Sequence, residues 1–160
     1  MINGGSWAAG EIRRTIAIAR QAPDLSAVVL CGRDDALLRR VRNARGVHAV
    51  PCTRDIVAYL AAAEVIIDNA GGLTCWEAMA CHVPVLLFRP LAGHGTDDAR
   101  TLAAAGLAQL VSSPEALVPV IREAAAAGAP AWTRTPFLGA DAVAQILAAV
   151  ESRDADHARH

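Results

Sequence analysis

Apolar and polar positions follow two rhythms along the chain. Short continuous apolar runs, such as Val28-Val29-Leu30-Cys31 and Val85-Leu86-Leu87-Phe88, alternate with stretches in which apolar residues recur every three or four positions. Continuous runs suit strands buried on both faces of a parallel sheet, and the longer period suits amphipathic helices. The first helix is predicted over residues 11–22, with Ile12, Ile16 and Ala19 on one face and Arg13, Arg14 and Arg20 on the other; Pro23-Asp24 stops it. Strands are predicted over 27–31, 47–50, 65–68, 85–88 and 108–111. Between them the pattern predicts helices over 34–42, 55–62, 74–81 and 97–105, the last ended by Gly106. Ser113-Pro114-Glu115 opens a further helix with proline at its first position. A last amphipathic helix spans 140–150, and residues 152–160 form a polar tail expected to be frayed.

Strands that alternate with helices across short loops define an α/β chain, a Rossmann-like doubly wound parallel sheet of about six strands flanked by helices. The expected domain covers residues 1–151. Ligands of such sheets sit outside the carboxyl ends of the strands. That rule gathers five loops at one edge, 4–8, 32–33, 51–54, 69–73 and 90–96, which are also rich in glycine and polar residues. The first strand is odd, because only Met1-Ile2-Asn3 precede Gly4-Gly5. Either it is short or the chain begins inside a larger polypeptide, and a domain cut from a longer protein is the expectation.

Composition narrows the class. The 160 residues are 54% apolar and 19% charged, which places the chain with globular proteins and gives it a sizeable core. A net charge of −1 gives no bulk argument for nucleic acid or an anionic membrane, and 4% aromatic residues give none for a base-stacking platform. Cys31, Cys52, Cys75 and Cys81 lack metal-ligand spacing and read as reduced thiols; Cys31 and Cys75 serve as small hydrophobes near strand ends. No signal peptide and no apolar run of membrane-spanning length are read, so a cytoplasmic protein is expected.

The most telling segment is Asp68-Asn69-Ala70-Gly71-Gly72-Leu73-Thr74-Cys75-Trp76-Glu77. A strand that empties into a glycine loop and then a helix N-terminus offers outward N–H groups and a favourable dipole to an anion, of which phosphate is the natural example. Thr74 and Glu77 also fit a T-x-x-E capping box, which alone explains the pair. In the functional alternative Thr74 meets a phosphate and Glu77 accepts from ribose hydroxyls. Gly4-Gly5-Ser6-Trp7-Ala8-Ala9-Gly10 fails the dinucleotide fingerprint G-x-G-x-x-G and is either a tight turn or a phosphate loop served by Gly5 and Ser6. His94, between Gly93 and Gly95, reads as an exposed or ligand-facing loop residue. Asp97 and Asp98 cap or begin the next helix, with Asp98 also a candidate to face a ligand.

Taken together, Gly71-Gly72-Leu73-Thr74, Glu77-Ala78-Met79-Ala80, Val83-Pro84-Val85 and Pro90-Leu91-Ala92-Gly93-His94, with Asp98 beyond, resemble the C-terminal domain of GT-B glycosyltransferases. The similarity is to the branch of monogalactosyldiacylglycerol synthase and of the N-acetylglucosaminyltransferase of peptidoglycan lipid intermediates. It runs from Gly4-Gly5-Ser6 through Val28 to Arg33 and on to about Val111, roughly two thirds of the chain. The resemblance implies a donor site for a nucleotide sugar, UDP-linked in most relatives, with neither metal nor cofactor. It implies nucleotide contacts from Gly5, Ser6, Arg33, Cys52, Thr53, Gly71, Gly72, Leu73, Thr74 and Glu77. Gly93, His94, Asp97 and Asp98 would reach the sugar.

This chain departs from the family pattern in two places. Relatives carry Gln followed by an acid in the sugar loop, where this chain has His94, Gly95 and Asp98, and an aromatic in the base-binding loop, where it has Cys52. The family places its acceptor site and general base mostly on an N-terminal domain. The partners implied are therefore that domain or a separate acceptor subunit, an acceptor such as a lipid, and attachment at the inner membrane face through the absent domain. The chain alone is expected to bind donor and transfer little. A non-catalytic nucleotide-binding module and half of a sugar-nucleotide epimerase are the other classes that the residues admit.

Overall fold

The computed structural model describes residues 1–5 and 8–128. In chain order the elements are β1 (Ile2–Asn3), α1 (Ile12–Ala19), β2 (Ala27–Gly32), α2 (Asp35–Val41), β3 (Val47–Pro51) and α3 (Ile56–Ala61). They continue with β4 (Ile66–Asp68), α4 (Leu73–Ala80), β5 (Val85–Phe88), α5 (His94–Ala104), β6 (Gln109–Val111) and α6 (Pro114–Ala127). All six strands run parallel in one sheet, ordered β3-β2-β1-β4-β5-β6. The chain starts at the centre, winds outward to β3, then returns across β1 to build the other half. The order therefore reverses between β1 and β4, and a crevice opens at such a switch point.

The continuous apolar runs are explained by two cores. Successive residues of a strand face opposite sides of the sheet. Leu86 and Phe88 pack with Ile16, Leu37 and Leu117 on one side, while Val85 and Leu87 pack with Leu60, Met79 and Leu102 on the other. Hence α1, α2 and α6 cover one face and α3, α4 and α5 the other, the doubly wound class read from the sequence. Every residue of β5 is buried. A fully buried side chain of this size contributes about 1.5–3 kcal/mol, so a polar residue is excluded from either face.

Local chemistry sets the element ends. Asp34 accepts a hydrogen bond from the Leu37 N–H at 2.8 Å and caps α2. Ser113 caps α6 through the Ala116 N–H at 3.3 Å, with Pro114 at the first helical position. Two starts differ from expectation. α4 begins at Leu73 and α5 at His94, because glycines serve as their N-caps in place of Thr74 and the aspartates. β1 has two residues yet pairs with both β2 and β4. The predicted helix over 140–150 and the tail lie outside the described residues.

Candidate functional site

Three loops meet at the carboxyl ends of β1, β4 and β5, and Asp68 is their hub. This last residue of β4 is 1% exposed. Its Oδ1 accepts from Asn3 Nδ2, at the end of β1, at 2.7 Å. Its Oδ2 accepts from the backbone N–H groups of Ala70 and Gly71, each at 2.9 Å, and from the Cys75 thiol at 3.4 Å. Asn3 Oδ1 in turn accepts from the Gly5 N–H at 3.2 Å. One buried carboxylate thus ties two strand ends together and folds the glycine loop back on itself. The loop delivers the chain to Gly72, the N-cap of α4, in an extended conformation and with no side-chain cap. The Cys75 N–H donates to the Gly72 carbonyl at 3.0 Å, which leaves the Leu73 and Thr74 N–H groups without a partner among the described residues, and free first-turn N–H groups are the donors that helix ends offer to anions.

The neighbouring residue, Asn69, is 6% exposed and acts as a staple. Its Nδ2 donates to the Ala9 carbonyl at 2.7 Å, and its own carbonyl accepts from the Leu91 N–H at 2.8 Å. It therefore joins the β1–α1 loop to the β5–α5 loop. Gly71 shows how close the parts lie. It sits at φ +69°, and a Cβ there would stand 2.9 Å from Asp98 Cβ and 3.3 Å from the Ala99 nitrogen. The first turns of α5 therefore rest against the glycine loop. α5 is also uncapped by any side chain, with Gly93 as its N-cap at φ +83°. Two uncapped helix N-termini therefore lie at one edge of the sheet, next to the switch point.

Arg89, just after β5, closes the far side. Its backbone is left-handed at φ +53°, its guanidinium lies 5.3 Å from the Phe88 ring centroid, and it forms an ion pair with Glu11 ahead of α1. A non-glycine residue held in this conformation is a point where the surrounding structure over-determines the backbone.

The sequence-predicted residues fall into three groups. Gly5, Gly71, Gly72, Leu73, Thr74, Glu77, Gly93, His94, Asp97 and Asp98 lie on the loops and helix starts that follow β1, β4 and β5. Arg33, Cys52 and Thr53 follow β2 and β3, at the same edge but further from the switch point. Thr53 Oγ1 accepts from the Asp55 N–H at 3.1 Å and shapes its own turn. Ser6, with Trp7, lies outside the described residues.

Several expectations need correction. The capping box between Thr74 and Glu77 does not form, since both residues lie inside α4. Among the described residues neither side chain has a hydrogen-bond partner, and both are half-buried. His94 is an exposed first residue of α5 and not a loop residue. Asp97 and Asp98 sit within that helix without capping it, and Asp97 pairs with Arg100 at 3.8 Å. All four cysteines are free, but Cys75 is more than a small hydrophobe near a strand. It lies in α4 and donates to Asp68, and burial together with that carboxylate pushes its thiol well above the ordinary range. Sequence reasoning gave no role to Asn3, Asp68, Asn69 or Arg89. The signal for the first three was present, because they are polar residues at or just after the ends of apolar strands. Nothing in sequence marks Arg89 apart from other strand-end arginines.

At this edge a hollow of about 300 Å³ lies at the carboxyl ends of β5 and β6, touching Phe88, Arg89, Pro90 and Thr96; larger ones lie elsewhere. One of about 400 Å³, touching Met1, Tyr59 and Glu64, opens near the amino ends of the central strands, and a groove of about 460 Å³ lies between α1 and α2. Among the described residues, a Cβ on Gly5, Gly72 or Gly93 would meet nothing within 4 Å.

A switch-point sheet with two bare helix ends is the layout of the C-terminal half of a GT-B glycosyltransferase. Residues 1–131 match the model of the glycosyltransferase family 28 C-terminal domain, and the chain belongs to that family. Curated relatives include the processive diacylglycerol beta-glucosyltransferases of Bacillus cytotoxicus and Staphylococcus carnosus. The first is 25% identical over 116 residues, covering 69% of this chain and 30% of the relative. The second is 24% identical over 110 residues, covering 66% and 28%. The chain thus spans under a third of the length of these relatives. The solved glycotransferase of kitacinnamycin superposes with a TM-score of 0.62 at 19% identity, over 78% of this chain and 34% of that one, and shares the fold. No helix among the described residues is long and apolar enough to cross a membrane.

Proposed function

We propose that this chain is the donor domain of a glycosyltransferase and binds a nucleotide sugar, UDP-linked, across the switch edge. The observation that carries the reading is the pair of uncapped helix N-termini held beside β1 by Asp68 and Asn69. In this reading a diphosphate meets the first-turn N–H groups of α4, the Thr74 hydroxyl, and the Gly5 and Ser6 loop. Glu77 follows three residues after Thr74, a spacing that puts both on one helix face. Its unengaged carboxylate then accepts from the two ribose hydroxyls. Arg33, Cys52 and Thr53 reach the base, and Gly93, His94, Asp97 and Asp98 the sugar.

Transfer would be an inverting displacement. The acceptor oxygen bonds to the anomeric carbon, the bond from that carbon to the diphosphate breaks, and the acceptor proton passes to a base on the other domain. Negative charge grows on the leaving diphosphate, where helix dipoles and aimed N–H groups stabilise it most, so neither metal nor cofactor enters the proposal. The similarity to diacylglycerol glucosyltransferases supports a lipid acceptor such as diacylglycerol, and with it a cytoplasmic enzyme that works at the membrane face. An open shelf fits a half-cleft whose second wall is an N-terminal domain or partner subunit.

Calorimetric titration with UDP, GDP and dTDP tests the donor reading. UDP is expected to bind, and absence of heat from all three at about 1 mM would overturn it.

A further inference from the structure

We infer that the outer face of α1 and α2 docks onto an anionic phospholipid bilayer. The inference rests on the lipid-acceptor part of the proposed function, but not on the nucleotide site. The chain as a whole carries a net charge of −1, yet residues 11–46 hold eight arginines against four carboxylates. The fold gathers them. Arg13, Arg20 and Arg40 border the groove of about 460 Å³ between the two helices, over apolar Ile16, Val41 and Ala44. Arg20 and Arg45 also line an adjoining concavity of about 340 Å³.

Three of the four carboxylates of this stretch are engaged, and the fourth, Asp35 in the first turn of α2, is exposed. Glu11 pairs with Arg14 and Arg89, Asp24 with Arg122, and Asp34 caps α2 and lies 3.8 Å from Arg13. By contrast Arg20, Arg39, Arg40, Arg42 and Arg45 are exposed, and none has an ion-pair partner among the described residues. Charge complementarity therefore selects an anionic occupant. Arginine pairs with phosphate through two N–H groups while its stem lies along apolar surface, the match for a phospholipid headgroup region. No aromatic side chain lines the groove, which disfavours a single-stranded nucleic acid. The arginines spread over two helices and the turn beyond α2, a broad array suited to a charged sheet of lipid.

The test is vesicle co-sedimentation of the full chain, comparing vesicles of pure phosphatidylcholine with vesicles of about one-third phosphatidylglycerol. Binding is expected only to the anionic vesicles at about 0.1 M salt, and is expected to vanish near 0.5 M. The R20E/R40E variant is expected to lose roughly tenfold or more in affinity, with unchanged circular dichroism and unchanged UDP titration. R20Q/R40Q, which removes charge without reversing it, is expected to lose less. No binding to anionic vesicles, or equal binding by R20E/R40E, would overturn the inference. So would tighter binding to soluble polyglutamate than to vesicles, which would assign the face to an acidic protein. The UDP titration keeps the outcomes apart: vesicle binding without nucleotide binding leaves this surface standing and removes the donor site.

Discussion

Asp68→Ala probes the hub of the site. The substitution removes the acceptor of the Ala70 and Gly71 N–H groups and of the Asn3 amide, at 2.9, 2.9 and 2.7 Å. A buried donor stranded in this way costs about 1–3 kcal/mol. Ala70 is half-buried, so its N–H can recover water, whereas Gly71 and Asn3 are buried. The expected loss is about 3–5 kcal/mol, a large share of a domain's ordinary stability. Equilibrium unfolding in urea, followed by far-ultraviolet circular dichroism, measures it. Asp68→Asn keeps the shape and one acceptor oxygen, and is expected to lose about half as much. A loss below about 1 kcal/mol for Asp68→Ala would refute the assignment of Asp68 as the tie between β1 and β4.

Other perturbations separate binding from stability. Thr74→Ala and Glu77→Ala remove side chains without hydrogen-bond partners among the described residues. Each is expected to weaken UDP binding about tenfold, by calorimetry, while leaving the melting temperature in place. Gly71→Ala forces a side chain onto a left-handed backbone 2.9 Å from Asp98 Cβ. It should cost about 1–3 kcal/mol in urea unfolding and abolish detectable UDP binding. The Cys75 thiol, raised by burial and by Asp68 above the ordinary thiol value of 9.0, favours the folded state while protonated. Its contribution is present in full below pH 9.0 and is lost as pH rises further, so Cys75→Ala should flatten the alkaline limb of a pH–stability curve. In native protein, iodoacetamide mapped by mass spectrometry should label exposed Cys52 and spare buried Cys31 and Cys75, whose thiols are both raised.

How much was legible before the structure depends on the kind of signal. The continuous apolar runs and the helical rhythm are statements about burial, and burial dominates folding, so six parallel strands and their helices were readable. Helix starts were less so. Thr74 and Glu77 satisfy the local grammar of a capping box, but Gly72 is drawn into the N-cap position by the Asp68 turn, and tertiary context wins. The same holds for Gly93 ahead of His94. The glycine loop was recognisable as a site from local sequence. Its construction was not, because Asn3 reaches across 65 positions to Asp68 and Asn69 across 60 to the Ala9 carbonyl. Such contacts leave no trace in spacing. The arginine face was visible only as scattered residues until α1 and α2 were set side by side.

In the proposed function a nucleotide sits on the N-terminus of α4 at the switch edge. The most direct measurement follows backbone amide resonances of the ¹⁵N-labelled chain as UDP is added. The largest shifts are expected on Gly5, Gly72, Leu73 and Thr74, with smaller ones at Gly93 and His94. Shifts centred instead on Tyr59 and Glu64, at the cavity near the amino ends of the strands, would contradict that placement.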